Sequence, residues 1–255
     1  MKRSMTALSA LVAFSFFLSG CDLLNKKEDG PNDLGGNPNI ELTKVGNTFP
    51  SYFADEDGSS IPGLDNVKDS IWISKNDGGI VTTQYLFTLD SNALKYIDTL
   101  MGTSAFPLAT KLTVLEKYLE KYGATIDTTN MNAIKVRGNF ISKNTSDGLQ
   151  EFINSRGDLS KPFTVLKYGD GVGAKYEFVD KEGLRITRTI VSKSTTDDYP
   201  IGFWLLKVSK VEERKDDQFV DYITYVGNHK FGLVGVRIGM KNGKKFVMGI
   251  FPPTL

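Results

Sequence analysis

Phe219-Val220-Asp221-Tyr222-Ile223-Thr224-Tyr225-Val226-Gly227-Asn228-His229-Lys230-Phe231-Gly232-Leu233-Val234-Gly235-Val236-Arg237-Ile238-Gly239 decides the fold class. Two runs rich in β-branched and aromatic residues, 219–226 and 231–239, flank the turn signal Gly227-Asn228-His229-Lys230. Gly and Asn accept the backbone angles of a tight hairpin, so the two runs are expected to pair antiparallel. The same grammar repeats outward. Runs at 163–168, 173–179, 184–192, 202–212 and 245–251 alternate with Gly169-Asp170-Gly171, Asp180-Lys181-Glu182-Gly183, Lys215-Asp216-Asp217 and Asn242-Gly243. Connections this short exclude a parallel crossover, which takes about a dozen residues or more. The C-terminal half therefore reads as an antiparallel sheet of about seven strands, long enough to curl.

Several of these runs are apolar on both faces. Phe203 and Leu205 alternate with Trp204, Leu206 and Val208, and Phe231 and Leu233 with Val234, Val236 and Ile238. A sheet wetted on one side would alternate apolar with polar, so a cover is expected, and upstream residues supply it. Ser70–Ser74 and Ile80–Leu89, joined by Lys75-Asn76-Asp77-Gly78-Gly79, form an N-terminal hairpin with Val81, Thr83, Tyr85, Phe87 and Leu89 facing the core. Asp90 or Ser91 caps a helix bearing Leu94, Ile97 and Met101 and stopped by Gly102. Pro107 opens a second, with Leu108, Leu112, Leu115, Leu119 and Tyr122 on one stripe and Gly123 at its end. At barely two heptads, that stripe packs on its own sheet rather than in a coiled coil. A loop over 123–132, a strand over 133–141 and a short helix over 144–156 complete the expectation. Helices cluster early and strands late, the α+β pattern, with two to three packing helices on a curled antiparallel sheet.

The N-terminus is a different material. Lys2 and Arg3 precede an apolar run from Ala7 to Leu18 that is too short to span a bilayer, where about 20 residues are needed. Leu18-Ser19-Gly20-Cys21 follows, and Cys21 is the one cysteine of the chain. This segment resembles a bacterial lipoprotein signal peptide with its lipobox. The resemblance implies cleavage before Cys21, thioether lipidation of its thiol and acylation of the new amine, as by palmitate. It places the protein in the bacterial cell envelope, lipid-anchored on the periplasmic or cell-surface side. Asp22 resembles an inner-membrane retention signal of enterobacteria, but other lineages read it otherwise, so the membrane stays open. A lone cysteine fits a dedicated chemical role better than a disulfide framework. Residues 22–45, polar and rich in Asn, Gly and Pro, cannot bury enough apolar surface to order themselves and read as a tether. The expected division is 1–20 signal peptide, 21–46 lipidated cysteine and tether, and 47–255 one globular domain.

Composition excludes some classes. Removing Lys2 and Arg3 from 31 basic residues leaves 29 against 30 acidic. With no basic run, nucleic acid is not an expected partner. A 40% hydrophobic content supports a core without disulfides.

Few residues point to chemistry. His229, the sole histidine, cannot make a His-based zinc site without further His or Cys, and no G-x-S-x-G elbow or Ser-x-x-Lys motif occurs. Tyr168-Gly169-Asp170-Gly171-Val172-Gly173 resembles a phosphate loop only superficially, since a strand follows where a helix is required. Asp55-Glu56-Asp57-Gly58 lacks EF-hand spacing, with Asn66 at position 12. Paired carboxylates are harder to dismiss; Glu177, Asp180, Asp198 and Asp221 are candidates for a two-carboxylate hydrolase acting on envelope or extracellular polysaccharide. Lys181, Arg185 and Arg188 surround one hairpin and form a candidate anion patch, with a solvated face beside Glu177 and Glu182 the equal alternative. No catalytic, cofactor or metal residue is assigned, and catalysis is left undecided. The leading expectation is a membrane-anchored envelope lipoprotein with a non-catalytic binding or carrier role toward a protein, glycan or lipid. The polysaccharide hydrolase and a structural subunit of an envelope assembly stand as alternatives.

Overall fold

β-Branched and aromatic runs dominate the chain, and two antiparallel sheets absorb nearly all of them. The computed structural model describes residues 32–253 apart from 62, 63, 65, 66, 121 and 122. The leader, Cys21 and the tether up to residue 31 lie outside the described residues, as does Tyr122 of the second helix stripe.

The seven-stranded sheet comprises β1 (Ser51–Ala54), β8 (Lys175–Val179), β9 (Arg185–Lys193), β12 (Ser209–Arg214), β13 (Val220–Asn228), β14 (Gly232–Met240) and β15 (Lys245–Ile250). Its order is β1-β15-β14-β13-β12-β9-β8, so β1 and β8 are open edges. Six strands are the expected C-terminal meander. The seventh is β1, while 163–167 goes to the other sheet, formed by β2 (Lys68–Asp77), β3 (Ile80–Leu89), β5 (Ile134–Thr145), β6 (Gly148–Glu151) and β7 (Phe163–Lys167), with β4 (Ala124–Asp127) on β5. The Gly169-Asp170-Gly171 turn therefore carries the chain from one sheet to the other and closes no hairpin within a sheet. The 202–212 run is also broken. β10 (Tyr199–Ile201) and β11 (Trp204–Leu206) make a separate hairpin before β12 begins.

Two helices follow β3. In α1 (Ser91–Met101) the Asp90 side chain accepts from the Asn92 and Ala93 amides, and Gly102 stops the helix at φ +67°. These are the N-cap and left-handed C-cap that the sequence signals. Along α2 (Leu108–Glu120) Leu115 is buried and Leu119 packs in the core, but Leu108 is exposed. The working face is thus carried by the later turns, with Tyr118 edge-on to Phe219.

No helix forms at 144–156. β5 runs to Thr145, and β6 pairs with both β5 and β7. Glu151 ends the strand, its carboxylate accepting the Ile153 and Asn154 amides. Leu149 and Phe152 are buried as the apolar pattern demands, but through pairing on both edges. Pairing likewise recruits Ala124–Asp127 from the expected loop.

Residues 32–46, expected as tether, lie on the domain. Leu34 and Thr43 are buried, Gln150 donates from its side chain to the Asn32 carbonyl, and Asn76 donates to Thr43 at 2.9 Å. Between the sheets, one cluster joins Leu89, Ala93 and Ile134 to Phe53 and Phe246. Another joins Phe163 and Leu166 to Ile186, Ile190 and Val211.

Candidate functional site

Side chains alternate across a strand, so the seven-stranded sheet has an inner face on the core and an outer face away from it. On the outer face Lys210 of β12, Arg237 of β14, Val247 of β15 and Tyr52 of β1 floor an open cleft of about 620 Å³. One wall is the turn Asp55-Glu56-Asp57-Gly58 that leaves β1; the other is Ser192–Ser194 with Asp198, Tyr199 and Pro200. Gly235 allows Tyr199 to lie over β14, since a methyl group there would meet its hydroxyl at 3.3 Å.

The acidic wall is ordered from within. The Asp55 carbonyl accepts from Gly58 at 3.0 Å and its amide donates to Ser59 at 2.9 Å. Glu56 faces two cations, Lys245 at 2.9 Å and Arg237 at 3.7 Å. Hydrogen bonds from the Ser59 side chain and amide hold the Asp57 carboxyl below the usual carboxylate range. Opposite, Lys210 Nζ lies 5.6 Å from the Tyr199 ring centroid. Burial, reinforced by Tyr52, pushes the Tyr199 hydroxyl up, and burial does the same to Tyr52. Both therefore stay protonated donors at neutral pH. The cleft offers tyrosine faces, two hydroxyl donors, carboxylate acceptors and cationic donors. That combination suits a ligand with many hydroxyls and short apolar ring faces, and it suits an acyl chain poorly.

Of the carboxylates picked from the sequence, one reaches this cleft: Asp198. Glu177 is exposed and pairs with Arg185 at 3.3 Å. Asp180 accepts the Glu182 and Leu184 amides within its own turn. Asp221 is exposed, 3.7 Å from Arg214. His229 is exposed in its turn. Asp55, Glu56 and Asp57 come from the segment weighed for calcium. Among the described residues no cluster of His, Cys, Asp and Glu is placed to hold a metal ion. No helix among them is long and apolar enough to cross a membrane.

The anion patch of Lys181, Arg185 and Arg188 does not form. Lys181 and Arg185 are exposed, whereas Arg188 is wholly buried between the sheets. It donates to Glu213 at 2.8 Å, to Glu151 at 2.9 Å and to the Thr164 carbonyl at 3.1 Å. Its guanidinium stacks 3.8 Å from the Phe163 ring centroid. The physical reason was in the sequence: Arg188 sits between Ile186 and Ile190 at period two, on the core face. The crevice among Leu149, Leu166, Val211 and Tyr225 has no room for a water molecule.

The fold and cleft define an α+β protein of two packed antiparallel sheets with an open polar site on the outer face. No family model matches the chain, and no curated protein matches it. Among solved structures it is similar to one described as a putative lipoprotein from Parabacteroides distasonis, at 11% identity and a TM-score of 0.39, covering 82% of this chain and 94% of that one. Similarity at that level establishes neither family nor role.

Proposed function

We propose that this chain is an envelope lipoprotein, held to a membrane through lipidated Cys21, whose domain binds a glycan in the outer-face cleft without turning it over. The observation that carries the binding role is the cleft itself. Its volume lies within the few hundred to about 1,000 Å³ of ligand sites, and its lining mixes Tyr52 and Tyr199 with carboxylates and with Lys210 and Arg237. The lipobox carries the anchoring. A two-carboxylate hydrolase needs one carboxyl kept protonated. In this cleft Asp57 is held in the opposite direction by Ser59, which favours binding over turnover at that carboxyl.

Titration calorimetry with soluble oligosaccharides released from envelope polysaccharide tests the site. Saturable heat is expected, with about tenfold weaker binding in Tyr199→Ala, the loss that an aromatic contact worth about 1.4 kcal/mol represents. Absence of heat, or an unchanged affinity in the variant, overturns the glycan reading. New reducing ends appearing during titration would make the protein a hydrolase instead. For the anchor, Cys21→Ser is expected to release an intact domain from membrane fractions; retention there would require another anchor.

A further inference from the structure

Three consecutive residues at the turn of the β10–β11 hairpin hold their side chains in solvent: Phe203 is fully exposed, Trp204 is 52% exposed and Leu205 61%. Alternation of apolar residues predicts two covered faces here, and at this point the domain leaves Phe203 and Leu205 in solvent and Trp204 half covered. The turn is nonetheless firmly mounted. Ile201 and Leu206, on either side of it, are buried against Val226 and Val234. Gly202 takes φ +57° beneath the Phe251 ring, where a Cβ would collide. Trp204 meets Phe231 edge-on at 5.9 Å.

Cationic side chains lie close to the turn. Lys207 and Lys230 are exposed beside it, with Lys230 Nζ 5.0 Å from the Phe231 ring centroid. His229 is exposed next to Lys230. The nearest acids along the chain, Asp197 and Asp198, are exposed at the base of the hairpin, where Asp197 accepts the Lys207 amide at 3.0 Å. An apolar, aromatic tip flanked by two lysines has the composition of a headgroup-level contact, where aromatic rings take the interface and cations meet anionic lipid.

The N-terminal segment enters the domain at Asn32, beside the Glu177 carbonyl and the Thr164 amide, and then passes the end of the sheet that carries this tip. The hairpin springs from the end of the sheet at which Lys193 pairs with Ser209 and Ser209 with Gly227. Leu42 lies against Gly232, the partner of Asn228 at that end. Gly36 lies against Asp147, whose carbonyl accepts the Tyr168 amide; the Tyr168 carbonyl in turn accepts Lys193 Nζ at 2.8 Å. Eleven residue steps separate Cys21 from Asn32, no more than about 40 Å even fully extended. A lipid on Cys21 therefore keeps the bilayer within about 40 Å of Asn32.

The geometry points to the β10–β11 tip as a second, non-covalent membrane contact, with Phe203, Trp204 and Leu205 entering the headgroup region and Lys207 and Lys230 meeting anionic headgroups. This rests on the anchoring through Cys21. The test uses the full lipidated chain from its native host, reconstituted into phosphatidylcholine–phosphatidylglycerol vesicles with or without bromine on the acyl chains. Flotation reads the anchor and tryptophan emission reads the tip, since the chain has two tryptophans and Trp204→Phe identifies the share of Trp204. Brominated lipid is expected to quench that share, and a Phe203→Ser/Leu205→Ser variant with unchanged Tm to lose the quenching. A chain that floats with Trp204 unquenched overturns the tip contact and assigns the patch to a protein partner. One that stays in the aqueous fraction overturns the anchoring reading, and the tip contact with it.

Discussion

Arg188 and Glu213 stand directly opposite one another on β9 and β12, both buried, with Nε 2.8 Å from Oε2. Lys215 approaches the second Glu213 oxygen at 3.4 Å, Tyr225 donates to Oε2 at 2.9 Å, and Glu151 reaches Arg188 from the facing sheet. One guanidinium thus binds two carboxylates from two sheets, and removing it takes the arginine partner from two buried negative charges. Breaking such a pair costs about 3–5 kcal/mol. Arg188→Met is therefore expected to lose at least that much in urea unfolding, with part recovered when Glu213→Gln is added. A loss below about 1 kcal/mol, the worth of an exposed pair, would remove the cluster from its inter-sheet role.

The same cluster predicts that stability falls in acid. Burial pushes the Glu213 carboxyl up, but Arg188, Lys215 and the hydrogen bonds from Arg188 and Tyr225 together outweigh it and leave it below its ordinary value of 4.5. A carboxyl lower in the fold than in the unfolded chain contributes stability that is complete above the unfolded value and is lost as pH falls through the folded one. At the other limit, burial pushes the Tyr168 hydroxyl up to about 12. Its contribution is complete below about 10 and disappears as pH rises toward 12. Tm against pH should fall at both ends, with Glu213→Gln flattening the acid limb and Tyr168→Phe the alkaline one. Identical limbs in wild type and variants would contradict both assignments.

Gly148 opens β6, and a Cβ there would overlap the Leu166 carbonyl oxygen of β7 and press on Leu34. Backbone cannot yield as a side chain tip can, so Gly148→Ala is expected to lose about 1–3 kcal/mol in denaturant midpoint. In a helix the same change would stabilise by about 1 kcal/mol. The sign of the change thus discriminates the strand from the helix that local pattern suggests.

How much was legible follows from which forces are local. Caps and turns are, so Asp90, Gly102 and the 227–231 hairpin fall where expected. The period-two face of β3 also holds, with Val81 and Leu89 buried. Residues 144–156 mislead because Leu149, Phe152 and Ile153 satisfy a helical stripe, while the pairing that overrides it comes from β7. The cleft was legible only in fragments. Asp198 is visible as a carboxylate, but its approach to the Asp55–Gly58 turn depends on β1 joining β15, a pairing between residues about 200 apart in the chain. Arg188 misleads for the opposite reason: its charge signals surface, while its place between Ile186 and Ile190 signals core.

The two ends of α2 give the sharpest contrast between sequence stripe and structure. Leu108 and Leu115 occupy the same heptad stripe, yet Leu108 is 51% exposed and Leu115 only 8%. The helix meets the core through its later turns, where Leu119 and Tyr118 pack, and its first turn runs past the edge of that contact. An aspartate at 115 buries an unpaired charge and should unfold the domain or cost several kcal/mol. At 108 it lies in the first helical turn, where a negative charge is favourable by about 0.3–1 kcal/mol, against the loss of a half-exposed leucine. Leu108→Asp is therefore expected within about 0.5 kcal/mol of wild type in thermal and urea unfolding. Equal destabilisation by the two substitutions would mean that the whole stripe is covered, by a partner or by a different seat for the helix.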